Sequence, residues 1–207
     1  SEPTVVYRES MKSSSPEPVL AKSPNKLNRL WVTASPLDEK VISLIRERRI
    51  NERMDSRSIA KVLREEGGME TDDARNVWKI DEENYNLLIN RTVGVQRLDE
   101  VREILKQGFM WVMGEGPLAG EPVMGVAIRL VNAMIHEDPA HRGPAQLTPA
   151  MRRAIFGAML SADPVLMEPI YEIQVTTPPE LIGSVISLIS QKRGKVVGVE
   201  ERGRPNI

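Results

Sequence analysis

The residues of this chain that could perform chemistry concentrate in one stretch, residues 136–143, with the sequence His-Glu-Asp-Pro-Ala-His-Arg-Gly. This histidine loop contains both histidines of the chain. An imidazole close to a carboxylate, such as His141 with Asp138, could act as an acid–base pair. A metal site at His136 and His141 is a weaker hypothesis, because zinc prefers three or four protein ligands. The simpler interpretations are that His136 packs at the end of a strand and that His141 is an ordinary exposed loop residue.

A second candidate is the predicted apex of a β-hairpin, residues 22–29, with the sequence Lys-Ser-Pro-Asn-Lys-Leu-Asn-Arg. This hairpin loop has three basic residues and no acidic one. Such a donor-rich composition suits contacts to nucleic-acid phosphates, although a solvated polar hairpin has the same composition. Arg152 and Arg153 are predicted in the first turn of a helix, where the helix dipole disfavours cations. They are therefore either solvated or directed towards phosphate near the histidine loop.

Composition limits the classes of protein that this chain can represent. Its 207 residues suffice for one large or two small domains, and a 41% hydrophobic but 4% aromatic composition predicts an aliphatic core. The absence of cysteine excludes disulfides and a cysteine nucleophile and fits a reducing cytosol. A net charge of −1 means that any nucleic-acid contact must come from a local basic patch. We expect no membrane span, since no apolar run reaches about 18 residues. We expect no signal peptide, since the first residues lack a basic region followed by an apolar one.

Periodicity and turn signals predict mixed helices and strands around these loops. Predicted strands cover residues 4–8, 76–80, 86–90 and 123–135, with a hairpin over 19–33. Predicted helices cover residues 36–49, capped by Ser35, then 56–66 and 98–113, and a last one that starts at Thr148. The acidic residues 70–73 are predicted to be solvated surface. The histidine loop should therefore be held between a long strand and a helix.

Asp163-Pro164 suggests a boundary, after which a smaller unit is expected. Tyr171, Ile173 and Val175 alternate with polar residues, which predicts a strand. A capping box at residues 177–180 predicts the start of a helix, and residues 195–199 predict a second strand. A strand–helix–strand unit of this size buries too little surface to be stable alone. We expect it to be incomplete or packed on the first unit.

Three motifs together resemble the elongation factor 2 family, the translocation GTPases of archaea and eukaryotes. They are Ser23-Pro24-Asn25-Lys26-x-Asn28-Arg29, Asp138-x-Ala140-His141-Arg142-Gly143 and Leu166-Met167-Glu168-Pro169-Ile170-Tyr171. The resemblance covers the whole chain: residues 1–165 are similar to the fourth domain of the family and residues 166–207 to the first half of the fifth. It implies an α+β fold, with a ribosomal protein S5 domain 2-like α/β domain followed by a partial ferredoxin-like β-α-β unit. Leu27 in place of a histidine, and Pro144-Ala145 in place of glycines, are departures from the eukaryotic pattern that resemble archaeal members.

The resemblance implies that His141 is the acceptor of the diphthamide modification and the residue that bacterial toxins ADP-ribosylate. It also implies that both loops enter the ribosomal decoding site and contact tRNA, mRNA and rRNA during translocation. The contact residues implied are Lys22, Ser23, Pro24, Asn25, Lys26, Asn28, Arg29, Asp138, Arg142 and Gly143. The partners implied are the ribosome and the diphthamide-synthesis enzymes, in the cytoplasm.

The GTP-binding domain of the family has no counterpart here, and no G-x-x-x-x-G-K-[ST] loop is present. We therefore expect no cofactor and no GTP hydrolysis in this fragment, because GTP and Mg would belong to the missing domain. We expect a monomer, or a molecule packed through its incomplete C-terminal unit. The alternative function is a small standalone enzyme that uses His141 and Asp138 as an acid–base pair.

Overall fold

The computed structural model describes residues 2–201, and its contacts divide the chain between Pro169 and Ile170. The first unit contains seven strands and five α-helices among its described residues. The strands are β1 (Arg8–Met11), β2 (Val19–Lys22), β3 (Arg29–Pro36), β4 (Val77–Asp81), β5 (Asn86–Asn90), β6 (Val126–Met134) and β7 (Pro164–Met167). The helices are α1 (Glu39–Arg46), α2 (Ser56–Glu65), α3 (Thr71–Ala74), α4 (Leu98–Gly114) and α5 (Pro144–Leu160). The second unit contains α6 (Ile182–Gln191).

A mixed sheet in the order β2-β3-β6-β5-β4 organises the first unit. Only the neighbours β5 and β6 run parallel in this sheet, and α4 lies between them in the chain. A parallel pair needs such a crossover, whereas the antiparallel neighbours can be joined by short turns. β1 and β7 form a separate antiparallel pair. The α+β fold expected from the sequence is confirmed.

Both faces of the sheet are buried, each by a different core cluster. Successive side chains along a strand point to opposite faces, so neighbouring residues join different clusters. Leu88 and Ile128 belong to the larger core cluster, which includes α4 and α5. Leu87, Ile89 and Ala127 belong to the second cluster, which includes α1 and α2. β6 and α5, which flank the histidine loop, are therefore fixed by packing. None of the helices described between residues 2 and 201 combines the length and apolar character of a bilayer span.

Two predicted element boundaries near the N-terminus are wrong. The strand expected at residues 4–8 lies instead at Arg8–Met11, where Arg8 to Met11 pair with Met167 to Pro164. A strand forms where a partner backbone is available, and Val5 and Val6 remain exposed. The helix expected after Ser35 is capped by Asp38, whose Oδ1 accepts the Lys40 N–H at 2.9 Å. Ser35 and Pro36 instead extend β3 along β6.

The prediction that the acidic residues 70–73 are solvated is wrong for Asp73. This residue lies in α3, is 5% exposed and accepts hydrogen bonds from Arg91 and Arg129. Burial alone would raise the pKa of the Asp73 carboxyl, but the guanidinium groups of Arg129 and Arg91 outweigh it and lower that pKa below its ordinary value. Asp73 therefore forms a charged link between α3, β6 and the segment after β5.

The second unit differs from its predicted form in two respects. A 3-10 turn at Pro179–Leu181 precedes α6 without a side-chain capping bond, so the predicted capping box does not form. The strands predicted at residues 171–175 and 195–199 are also absent from its described residues. In a split β-α-β unit, the two strands pair with another strand that lies between them. Residues 170–201 contain no such strand, so the two predicted strands lack a partner there. None of these residues is buried, and most of their large apolar side chains are exposed; Tyr171 is 72% exposed and Leu188 is 56% exposed.

The predicted division into residues 1–165 and 166–207 stays a prediction. β7 pairs with β1 and so packs within the first unit. The packing of a strand does not determine where the domains of a longer protein begin.

Candidate functional site

The hairpin loop is held together by its own polar side chains. Ser23 Oγ accepts the Asn28 N–H at 3.0 Å and donates to Asn25 Oδ1 at 2.5 Å. Asn25 Oδ1 also accepts the Leu27 N–H at 3.1 Å. A backbone bond from Lys26 N to Ser23 O at 2.8 Å closes a turn in which Lys26 has a φ of 64°. These bonds direct Lys26 outwards, where its side chain is exposed.

The histidine loop leaves β6 and forms a single 3-10 turn at Pro139–His141. Asp138 caps this turn by accepting the Ala140 N–H at 2.9 Å, and His136 Nδ1 accepts the Asp138 N–H at 3.0 Å. The His136 and His141 rings meet edge to face with centroids 5.0 Å apart. The side chain of His141 remains 48% exposed. The expectation that His141 is exposed on its loop is confirmed.

The two loops lie at the same end of the first unit, which confirms the expectation that they share one surface. Asn25 Nδ2 and Asn28 Nδ2 both donate to the carbonyl oxygen of His141, at 2.8 and 2.9 Å. Asn28 Oδ1 accepts the His136 N–H at 2.9 Å. The Asn25 N–H donates to Gln146 Oε1 at 2.8 Å. We call residues 22–29 and 136–143 together the tip.

Arg142 does not have the exposed position expected of a phosphate-binding residue. It is 8% exposed, and its Nη1 lies 2.5 Å from Glu100 Oε2 on α4. This contact meets the distance of an ion pair, although Nη1 has no hydrogen bond of suitable direction. The guanidinium therefore anchors the histidine loop to α4 and is not directed to solvent in this structure.

The residues predicted to contact RNA divide into an exposed set and a buried set. Lys22, Pro24, Lys26 and Asp138 are exposed, and Asn25, Arg29 and Gly143 are partly exposed. Ser23, Asn28 and Arg142 are buried and bond within the unit. The structure thus brings the whole predicted set together, but the buried members support the loops and are not on the surface.

Helix α5 begins at Pro144, four residues before the predicted start at Thr148. Gly143 precedes Pro144, which suits the first helical position because proline lacks the N–H that is unpaired there. Thr148-Pro149 lies inside the helix, so the prediction that Arg152 and Arg153 lie in its first turn is wrong. The Arg152 guanidinium stacks over Trp111 and Phe156, with centroid distances of 5.0 and 4.5 Å.

The geometry gives little support to an acid–base or metal site in the histidine loop. His141 Nε2 lies 3.8 Å from Asp138 Oδ2, beyond hydrogen-bond length, and both side chains are about half exposed. Two depressions on the described surface, with volumes of ≈ 310 and ≈ 450 Å³, are lined by neither residue. Among the described residues, no group of three histidine, aspartate or glutamate side chains could hold a metal ion.

Comparison with known proteins identifies the family. The model described as Elongation factor G, domain IV, matches residues 48–163, and the model described as Elongation factor G C-terminus matches residues 165–206. The chain belongs to the elongation factor G and elongation factor 2 family. Members of this family are elongation factors of protein biosynthesis, and the resemblance of the chain to elongation factor 2 is confirmed.

Relatives named Elongation factor 2 match almost the whole chain. The protein of Korarchaeum cryptofilum is 84% identical over 207 residues, which are 100% of this chain and 28% of that protein. The protein of Staphylothermus marinus is 51% identical over 203 residues, and that of Pyrobaculum calidifontis is 46% identical over 202 residues; each match covers 98% of this chain and 27% of the relative. The chain therefore spans just over a quarter of the length of these elongation factors.

Three groups that support the tip were not identified from the sequence. They are His136 as a backbone donor, Gln146 as an acceptor and Glu100 as the partner of Arg142. Gln146 is polar and lies shortly after the histidine loop, so its position could have indicated that it supports the loop. Nothing in the sequence connects Glu100 with Arg142, because their contact depends on how α4 packs beside the loop.

Proposed function

We propose that this chain is the ribosome-contacting part of a translocation factor and that its tip contacts rRNA, tRNA and mRNA in the decoding site during GTP-dependent translocation. The observation that carries this proposal is the joining of the two loops at the His141 carbonyl. Two separate segments of basic and imidazole side chains thereby form one surface. Membership of the elongation factor family supports a ribosomal partner for that surface.

The charges of the tip suit a nucleic-acid partner. Lys22 and Lys26 are exposed and Arg29 is partly exposed. Lysine and arginine side chains bind phosphates without regard to base sequence, and a planar imidazole can stack on an unpaired base. With a net charge of −1, the chain as a whole is not attracted to RNA. The tip would therefore provide the contact, and the rest of the unit would hold it in place.

Salt dependence of RNA binding tests this proposal. We expect the affinity of the chain for a decoding-site RNA to fall with salt, and Lys26→Ala to reduce the slope of log K against log salt by about 0.7–0.9. Lys61→Ala, at an exposed position of α2, is the matched control and should leave the slope unchanged. Equal slopes for Lys26→Ala and the unsubstituted chain would contradict the proposal. In the full-length factor, Lys26→Ala and Arg29→Ala should both slow translocation and make it more sensitive to salt.

We further propose that His141 is the diphthamide acceptor and the residue that toxins ADP-ribosylate. Its 48% exposed side chain on a fixed backbone gives a modifying enzyme access to the ring. Chain incubated with diphthamide-synthesis enzymes should gain one adduct on the peptide that contains His141, measured by mass spectrometry. An adduct on another peptide, or none, would contradict this assignment. Protein produced in bacteria should lack the adduct.

The remaining expectations concern the setting of the chain. We propose that it acts in the cytoplasm without a cofactor and that GTP and Mg bind elsewhere in the longer factor. GTP hydrolysis by the isolated chain should therefore not exceed that of buffer. The alternative, a standalone enzyme that uses His141 and Asp138, rests on a pair 3.8 Å apart. This alternative predicts that the isolated chain catalyses a reaction and that Asp138→Asn abolishes the catalysis. The RNA-contacting function requires no catalysis by the chain.

A further inference from the structure

We infer that Asn28 is a positioning residue for His141: its buried amide spans the histidine loop and fixes the backbone from which the imidazole projects. This inference rests on the proposed use of the His141 ring. The resemblance to elongation factor 2 implies that Asn28 contacts RNA, but in the structure Asn28 is fully buried. A buried amide cannot contact RNA directly, so its effect on the tip must be transmitted through its neighbours.

The amide of Asn28 uses both of its ends, and both reach the other loop. Nδ2 donates to Ser23 Oγ at 3.1 Å and to the His141 carbonyl at 2.9 Å. Oδ1 accepts the His136 N–H at 2.9 Å. Buried polar groups are almost always paired. Here one planar amide holds the first and last residues of the segment 136–141 at a fixed separation.

The ring of His141 is oriented by groups that this clamp holds in place. The edge-to-face contact with the His136 ring requires the two histidine backbones to keep their spacing. Asp138, whose Oδ2 lies 3.8 Å from His141 Nε2, is itself fixed by the bond from its N–H to His136 Nδ1. Asn25 donates a second hydrogen bond to the His141 carbonyl but does not reach His136. Asp138, inside the histidine loop, also bonds both histidines, because its N–H donates to His136 Nδ1 and its carbonyl accepts the His141 N–H. Asn28 is the residue of the hairpin loop whose described hydrogen bonds reach both histidines.

The clamp explains how a half-exposed side chain can be presented in one orientation. Without the clamp, the bond from Asn25 and the bonds of Asp138 within the loop would remain. The two ends of the segment would no longer be tied to one buried group, and an enzyme or an RNA site would have to select the productive conformation from a wider set. With both ends fixed, the ring can reorient only about its own side-chain bonds. Loss of the amide should therefore lower the reactivity of His141 even when the protein remains folded.

Asn86 provides a matched control for the loss of a buried amide. It is also 0% exposed, and it also makes three side-chain hydrogen bonds, to Asp81, to the Val123 carbonyl and from the Val126 N–H. None of these bonds involves the tip. Asn28→Ala and Asn86→Ala should therefore cost similar stability, and only Asn28→Ala should change the behaviour of His141.

The test measures modification of His141 by diphthamide-synthesis enzymes at a temperature where circular dichroism shows all variants to be folded. We expect the rate to fall between about tenfold and 100-fold in Asn28→Ala and to be unchanged in Asn86→Ala. Asn25→Ala, which removes one of the two donors to the His141 carbonyl, should give an intermediate rate. Amide exchange at residues 138, 140 and 141 should accelerate in Asn28→Ala, accelerate less in Asn25→Ala and stay unchanged in Asn86→Ala.

The outcomes separate this inference from the proposed function. If the unsubstituted chain is not modified at His141, the proposed modification fails, and faster exchange in Asn28→Ala would still establish the clamp. If the unsubstituted chain is modified and folded Asn28→Ala is modified at the same rate, the inference is overturned. Equal losses in Asn28→Ala and Asn86→Ala would also overturn it, because they would reflect stability alone.

Discussion

Replacement of Asp73 by alanine should destabilise the first unit strongly. The carboxylate accepts three hydrogen bonds, from Arg91 Nη1 at 2.7 Å and from Arg129 Nε and Nη2 at 3.1 and 3.0 Å. Hydrogen bonds to charged groups contribute roughly 1.5–3 kcal/mol each, and the sum over these bonds is an upper limit for the loss of stability. Desolvation of the carboxylate offsets several kcal/mol of that sum. The guanidinium side chains are 29% and 24% exposed, so they regain water when the carboxylate is removed. We therefore expect a loss of about 2–4 kcal/mol for Asp73→Ala.

The neighbouring residue Asp72 provides the control. Its side chain is 70% exposed, and its Oδ2 lies 3.9 Å from Arg91 Nη2. An exposed ion pair of this kind contributes between about 0 and 1 kcal/mol, so Asp72→Ala should cost less than about 1 kcal/mol. Urea unfolding followed by tryptophan fluorescence measures both losses, because Trp31, Trp78 and Trp111 all lie in the first unit.

The pH dependence of the Asp73→Ala loss is a second test. The pKa of Asp73 is lowered by Arg129 and Arg91 in spite of its burial. A carboxyl whose pKa is lowered by folding stabilises the protein fully above its unfolded pKa, about 3.9, and loses this effect as the pH falls through the lower folded value. The difference between the unsubstituted chain and Asp73→Ala should therefore be constant near neutral pH and shrink below about pH 4. Equal losses for Asp72→Ala and Asp73→Ala, or a difference that grows in acid, would refute the reasoning.

Three further predictions concern other parts of the chain. The buried Glu9 carboxylate accepts the N–H groups of residues 118, 119 and 121 at 2.6, 3.1 and 2.8 Å. Glu9→Gln should lower the free energy of unfolding in urea by about 1–3 kcal/mol, because an amide nitrogen would face N–H donors. Gly116→Ala should also destabilise the first unit, since the added Cβ would lie 2.6 Å from the Glu9 carboxylate. A normal stability of either variant would contradict this. Lys26→Ala and Arg29→Ala should each change stability by less than about 0.5 kcal/mol, and a larger fall would mark them as structural. Amide exchange at residues 170–201 should be faster than in the first unit, because no side chain there is buried; uniformly slow exchange in a verified monomer would contradict this expectation.

Local patterns predicted the elements whose determinants are local. The hairpin over residues 19–33, the helix at residues 56–66 and the strand at residues 86–90 depend on short-range periodicity and turn residues, and β2, β3, α2 and β5 occupy them. Ser35 and Asp38 were equally good helix caps by composition. The pairing of Ser35 with Ala127 on β6 decided between them, and that pairing joins residues far apart in the chain.

The buried polar residues could not be predicted, because their partners lie far away in the sequence. Asp73 lies in a stretch whose composition predicts solvated surface, and its burial depends on the approach of Arg91 and Arg129. Arg142 is of a residue type that often binds phosphate, and it contacts Glu100 only because α4 packs beside the histidine loop. A motif identifies which residues occur at the tip, but it does not distinguish those that contact a partner from those that hold the loops.

That distinction determines how the tip would use its binding energy. The buried Ser23, Asn28 and Arg142 fix both loops before any partner arrives, so little conformational entropy remains to be lost on binding. The exposed Lys22 and Lys26 then contribute charge without having to order the loop that carries them. Changes at the exposed residues should mainly alter the strength and salt dependence of binding. Changes at the buried residues should instead lower the fraction of molecules in which the tip is correctly formed, and this loss should appear in every use of the tip, whether the partner is an RNA or a modifying enzyme.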